Sequence, residues 1–210
     1  AALFGMVAHG LITGMLFFIA GSVKHRYHTL EIKRLRGMLV QMPRLGWILG
    51  FSAMASLGLP GLAGFWGEFP ALVSAYRPNF GLDRDLYLGL LIVAAIGTVF
   101  AAAYLLWLYQ RTAMGEPNPE FVSGHGDHGH GHGHAPAHSL SAAANHLDDA
   151  DAHDDDHAHA DIHDVTPIEW IAWTPFLIAI VVFGVYPQLM FKVMDPAVSA
   201  LVERVGAGIP

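Results

Sequence analysis

Apolar residues in this chain come in long uninterrupted runs, not in the short periodic stretches of a water-soluble domain. Residues 1–23 contain no Asp, Glu, Lys or Arg, and a single His. Residues 45–67 are equally free of charge, and apolar sequence resumes over 69–76. Residues 86–110 and 170–191 make two further runs. A bilayer core takes about 20 apolar residues as helix, so the pattern predicts an all-α integral membrane protein with about four transmembrane helices. The expected division is a transmembrane helix over 1–23, a basic connection over 24–43 and a broken transmembrane helix over 44–76. A short loop over 77–85, a helix over 86–111 and a long loop over 112–166 follow. The chain then has a last transmembrane helix over 167–191 and a tail over 192–210.

The run over 44–76 is 33 residues long, about 50 Å as continuous helix, which is too long for one ordinary span. Its middle, 58–64, reads Gly-Leu-Pro-Gly-Leu-Ala-Gly. Pro removes a backbone donor and clashes with the preceding turn, and Gly weakens the helix on both sides. Each half is short for a span of its own, so the reading is one span broken in the middle. Discontinuous helices of this kind line ion sites in transporters.

Composition agrees: 53% of residues are hydrophobic and 14% charged, with a mean hydropathy of +0.41, against roughly 25% charged in soluble domains. The absence of Cys excludes a disulfide framework, a thiolate metal site and a thiol nucleophile. The formal net charge of −7 is a local effect. Residues 116–166 hold nine Asp, two Glu and no Lys or Arg, so the rest of the chain stands at +4 (−7 plus 11). No basic stripe is left for nucleic acid. The first residue is Ala within an apolar run, which predicts a start partway through a longer protein.

Basic residues set the expected orientation. Lys24, Arg26, Lys33, Arg34, Arg36, Arg44 and Arg111 fall on one side, and Arg77, Arg84, Lys192 and Arg204 on the other. The positive-inside rule then places 24–43 and the loop over 112–166 in the cytoplasm and the C-terminus outside. Treating 44–76 as a hairpin of two spans gives a distribution the rule also accepts. The charges alone leave that choice open, and the short halves favour one span.

Glu68 is the sharpest chemical feature, the only carboxylate between Leu45 and Tyr76, four residues past Gly64. A charge in mid-membrane costs a few kcal/mol and marks functional sites. Burial there opposes ionisation and the positive end of a half-helix favours it, which suits a group that gains and loses a proton. A carboxylate at the interface, or neutralised by a fixed partner, is the plainer reading. His9 is the one titratable side chain of the first span, with Thr13 one turn on and Gly10 and Gly14 beside it. It is either a proton relay or a buried, hydrogen-bonded His, on a face expected to pack against helices. Ser52, Ser56, Thr98, Tyr104 and Tyr109 could line a water path, back-bond to their own helices or sit at the interface. Trp170, Trp173 and Tyr186 read as interface anchors. Residues 124–164 hold eleven of the fourteen His and read as a disordered loop. His128, His130, His132 and His134 could ligate a divalent metal, but nothing there fixes a geometry, so solvation or heterogeneous binding is the plainer reading. No phosphate-binding loop, dinucleotide fingerprint or nucleophile triad is present.

Val7-Ala8-His9-Gly10-Leu11, Lys24-His25-Arg26-Tyr27-His28-Thr29 and the block from Ser56 through Gly67-Glu68-Phe69 resemble the antiporter-like membrane subunits of respiratory complex I. Among these the M subunit, chain 4 in mitochondria, is most similar. The resemblance covers Ala1 to about Arg111, and Val165 to Pro187 more loosely. It implies the C-terminal part of a subunit of about fourteen helices, from the eleventh to the fourteenth. It implies a proton half-channel in which Glu68 is the key ionisable residue of the broken twelfth helix, where sister subunits and the related sodium–proton antiporters usually have Lys. It further implies that His9 lies on the hydrophilic axis leading to Glu68, and gives His28 a weaker place at the end of the same helix.

The partners implied are the other membrane-arm subunits, the sister antiporter-like subunits above all, and the lipid bilayer, in a bacterial plasma membrane. NADH, FMN, iron–sulfur clusters and quinone belong by the same implication to other subunits, with no cofactor and no redox centre in this chain. The long His/Asp insertion departs from the family's short connection. Two other readings stand beside this one: a subunit of a related sodium–proton antiporter, and a metal transporter with a His-rich loop.

Overall fold

The computed structural model describes residues 1–78, 82–122 and 162–207, and all regular structure among them is helical. In chain order the helices are α1 (Ala2–Tyr27), α2 (Met38–Gln41), α3 (Pro43–Ser56), α4 (Ala63–Tyr76), α5 (Arg84–Ala113), α6 (Pro167–Val185) and α7 (Gln188–Ala207). α1, α5 and α6 are each long and apolar enough to cross a membrane. α3 and α4 have 14 residues each, about 21 Å apiece and too short for a bilayer core singly. They stack end to end along α1. The start of α1 lies on α4, where Gly5 meets Gly67, and its second half shares a core with α3 through Met15, Ile19, Leu45 and Ile48.

Four helix ends meet at one end of this bundle: the C-termini of α1 and α5 and the N-termini of α3 and α6. The Met114 carbonyl accepts from Gly37 N–H at 3.3 Å. The Asp164 carboxylate accepts from the backbone N–H groups of Arg44 and Leu45, at 3.0 and 3.1 Å. Asp164 thereby satisfies orphan donors of the first turn of α3. Because the chain leaves this end at α3 and returns to it at the end of α5, the α3–α4 pair carries it across once.

The strongest local tie at this end is Arg26. Only 2% of its surface is exposed, yet it is charged, and a buried charge must be fully paired. Its Nη1 and Nη2 donate to the two Glu169 carboxylate oxygens at 2.9 and 2.6 Å. The guanidinium also donates to the carbonyls of His163 (2.7 Å), Ser22 (3.2 Å) and Asp164 (3.3 Å). These five bonds match the five N–H donors of the group. Glu169 further accepts from the Ser22 hydroxyl at 2.6 Å and closes a capping box with Thr166, which fixes the first turn of α6. The chain coming out of the long loop is thus clamped to α1.

The structure departs from the sequence-based expectations at several points. Arg26 is no solvated loop cation, because α1 runs on to Tyr27 and turns Arg26 inward. Trp173, expected at the interface, is 2% exposed and packs with Val165 and Ile19 in the core. The break spans Leu57 to Leu62, slightly earlier than 58–64. The last apolar helix ends at Val185, short of 191, where Tyr186 and Pro187 interrupt it. The expected tail instead begins with α7, whose Met190, Phe191 and Met194 pack against the bundle.

Both flanks of the long loop expected over 112–166 are also built. Residues 119–121 form a 3-10 turn. Phe121 stacks edge-on against Tyr27, with centroids 4.8 Å apart, and Glu120 pairs with Arg34. Residues 123–161, with His128, His130, His132 and His134, lie outside the described residues.

The Arg26–Glu169 pair yields a prediction with an internal control. Arg26→Ala leaves an unpaired buried carboxylate and should cost about 3 kcal/mol. Replacing both partners with apolar residues of similar size, Arg26→Met with Glu169→Leu, should cost much less. Thermal melting of the detergent-solubilised assembly checks this, and equal losses for the single and double variants would contradict it.

Candidate functional site

The site is built by the interruption between α3 and α4. α3 ends with Leu57 N–H donating to the Ala53 carbonyl at 3.0 Å and Gly58 N–H to the Ala55 carbonyl at 3.2 Å. Gly58 and Gly61 have φ of 66° and 93°, in the left-handed region that only Gly enters without strain. α4 starts at Ala63 with no side-chain cap on its free N–H groups. Gly64 in its first turn lies directly against the Ala55 carbonyl, leaving no room for a side chain. The end of one half-helix and the start of the other are held face to face by small residues.

Glu68 stands on α4 and its side chain reaches back toward the break. A Cβ on Gly58 would lie 2.6 Å from its Oε2, so Gly58 also leaves room for the carboxylate. Among the described residues Glu68 makes no hydrogen bond or ion pair. It faces a cavity of about 640 Å³ between α4 and α5, lined among others by Ser56, Ala71, Tyr87, Leu90 and Thr98. Such a volume holds several waters, and its polar groups supply partners for them. No fixed partner for the carboxylate is found among the described residues. The group is open toward a partly polar cavity.

His9 is exposed on α1, and its Nε2 lies 3.3 Å from the Thr13 hydroxyl one turn on. It is not among the side chains lining the Glu68 cavity. Among the described residues the small-residue face around it is covered only in part: Gly14 packs on Phe176 of α6, and nothing lies within 4 Å of a Cβ at Gly10. His28 caps the far end of α1 with φ 54°, about 28 Å along the helix from His9. His9 belongs to the half of α1 that meets α4, and His28 to the opposite end.

Ser56 and Thr98 both line the cavity, although the Thr98 hydroxyl donates to Ala95 O of its own helix at 2.8 Å. Ser52 is fully buried, and among the described residues its hydroxyl has no partner. Tyr109 packs over Gly50, and Tyr104 is exposed.

The sequence did not point to Tyr87 or Trp66. Tyr87 lies one turn into α5, where a Tyr reads as an interface anchor. Trp66 reads as one more aromatic in an apolar run, yet its indole Nε1 donates to the Gly184 carbonyl of α6 at 2.7 Å. Among the described residues no three His, Asp or Glu side chains converge as a metal site would require.

Comparison with known proteins places this arrangement. A family model described as "NADH:quinone oxidoreductase/Mrp antiporter, TM" matches residues 1–101. NADH-quinone oxidoreductase subunit M of Rhodobacter capsulatus is 30% identical over 208 residues, covering 99% of this chain and 32% of the relative. NADH-ubiquinone oxidoreductase chain 4 of Arabidopsis thaliana is 30% identical over 199 residues, or 95% of this chain and 31% of the relative. A chain in the structure of respiratory complex I from Thermus thermophilus with bound NADH superposes with a TM-score of 0.68 at 26% identity, over 96% of this chain and 32% of that one. The chain thus spans about a third of the length of the relatives it matches. Residues 1–101 thus match the NADH:quinone oxidoreductase and Mrp antiporter membrane-subunit model, and over nearly its whole length the chain is similar to M subunits (chain 4), with a helix broken beside its one carboxylate.

Proposed function

We propose that this chain is the C-terminal part of a proton-translocating membrane subunit of a respiratory NADH:quinone oxidoreductase, and that Glu68 carries the proton through it. The observation that carries the reading is the carboxylate itself: it stands beside a broken helix, without a partner among the described residues, on a cavity with Ser56, Thr98 and Tyr87. A proton arrives at Glu68 from the His9 side of α1 and leaves along the α4–α5 cavity. Tyr87 stands toward the end of the bundle opposite the basic connection.

The energy scale is modest. Moving one proton against a potential of 100 mV costs about 2.3 kcal/mol. A two-unit change in the affinity of one carboxyl group for its proton is worth about 2.7 kcal/mol. A shift in charge pairing near Glu68, driven by quinone reduction in other subunits, is therefore sufficient. NADH, FMN, iron–sulfur clusters and quinone have their places in those subunits, and the bonded partners of this chain are its neighbours in the membrane arm. In a bacterial plasma membrane the end of the bundle with Arg26, Arg34 and Arg44 faces the cytoplasm, with both flanks of the His/Asp-rich loop.

A second reading is favoured by the family description, which spans Mrp antiporters: a subunit of a multisubunit sodium–proton antiporter. Copurification separates the two, since flavin and iron–sulfur partners accompany only the first. The metal-transport reading rests on residues 123–161 alone.

In the intact assembly, Glu68→Gln and Glu68→Ala should abolish most coupled proton pumping and lower quinone-linked turnover with the assembly still formed. Glu68→Asp should keep part of it. Pumping near the wild-type level in Glu68→Gln, measured in sealed vesicles, would remove Glu68 from the path. Deleting residues 123–161, which keeps Glu120 and Asp164 in place, should leave pumping largely unchanged. A loss of metal accumulation by cells with pumping intact would favour the transporter reading.

A further inference from the structure

α4 is joined to α3 only through a segment with two residues of positive φ. A half-helix attached in that way has no fixed rotation about its own axis unless something outside it supplies one. Its rotation matters, because it sets where Glu68 points. Two contacts on residues 66 and 67 supply the reference. The Trp66 indole donates to the Gly184 carbonyl at 2.7 Å. Gly67 packs on Gly5 of α1, so closely that a Cβ would lie 2.5 Å from the Gly5 Cα.

The acceptor is suited to this work. The last carbonyls of a helix have no partner inside it, and in hydrocarbon such a group must be satisfied by protein. Gly184 is in the last turn of α6, and its backbone lies against Gly61 and Leu62 with no room for a side chain. α6 is itself anchored at its other end by the Arg26–Glu169 pair. The Trp66 ring is further enclosed by Phe191 of α7, with centroids 6.3 Å apart, and Phe191 stacks on Phe4 of α1. Residues two apart on a helix are separated by roughly 200° around its axis. Holding Trp66 on α6 therefore turns Glu68 the opposite way, toward α5 and the cavity.

We infer that Trp66 is a positioning residue for Glu68: its hydrogen bond to the Gly184 carbonyl fixes the rotation of the second half-helix and so presents the carboxylate to the α4–α5 cavity. The inference rests on the reading of Glu68 as the proton carrier. Tyr87 is the other titratable side chain on that cavity.

The test uses the whole membrane-bound complex carrying Trp66→Phe, which keeps an aromatic ring and removes the donor, with Glu68→Gln in parallel. Assembly is read from NADH oxidation with an artificial acceptor. Coupled pumping is read in sealed vesicles, and the Glu68 carboxyl group from the infrared C=O band that Glu68→Gln abolishes. Trp66→Phe should assemble, shift that band and lower pumping about fivefold, the population change that one neutral hydrogen bond represents. An unchanged band and unchanged pumping in Trp66→Phe, with Glu68→Gln inactive, would overturn the positioning role and leave the proton-carrier reading standing. Normal pumping in Glu68→Gln would instead overturn the reading beneath it. Trp66→His, which restores a ring N–H, is the second variant should Trp66→Phe fail to assemble. Assembly with a wild-type band position supports the role, and assembly with a band shifted from wild type counts against it.

Discussion

A backbone N–H or C=O freed inside hydrocarbon finds no water, and this structure is organised around meeting that demand at one place. The α3–α4 helix is interrupted in mid-bundle, which leaves the carbonyl end of one half and the amide end of the other without helical partners. Gly64 against the Ala55 carbonyl, Gly58 and Gly61 at positive φ, and the Gly184 backbone against Gly61 and Leu62 let the two half-helix ends and α6 approach at backbone distance. The contacts of Gly64 and Gly184 are between backbones at close range, and Gly58 and Gly61 hold positive φ, so all four positions favour a residue with no side chain. The glycines of this region are the cost of a break, and the break is what places a carboxylate beside exposed helix ends.

Much of this could be read from the sequence because hydrophobic length and helix-breaking residues are local signals. Uncharged runs marked α1, α5 and α6, and the Gly–Pro–Gly segment marked the interruption within a few residues. Glu68 stood out because a lone acid in an apolar run has few structural uses. What escaped was pairing at a distance. Arg26 and Glu169 lie 143 residues apart, and nothing near either one shows that they meet. Arg26 therefore read as one of several cations in a basic connection, and Trp173 as an interface anchor.

α7 escaped for a different reason. A search for uncharged runs passes over it, since it contains Lys192, Asp195, Glu203 and Arg204. Its signal was periodic: Gln188, Lys192, Asp195, Ser199 and Glu203 recur at intervals of three and four and share one helical face. α7 also contains Pro196, which is tolerated where the helix can give up one backbone bond at an exposed face. The flanks of the His/Asp loop were likewise judged by the composition of the whole segment. Asp164, Thr166 and Glu169 act as caps, and a capping role depends on a particular spacing that composition does not register.

The bundle has two ends with different chemistry, and α6 joins them. At one end a charged pair with every donor used holds α6 to α1. At the other, the same helix offers its last carbonyls and a bare glycine backbone to the break. A helix held at both ends relates the position of the break to the loop-side end of α1. This separates two requirements that otherwise conflict. The glycines at the break allow the backbone to turn sharply, and α6 keeps that freedom from reaching the carboxylate. If Glu68 carries the proton as proposed, it needs an environment reproducible to a fraction of an ångström, and an interrupted helix can provide it only when a neighbour supplies the rigidity that the interruption removes.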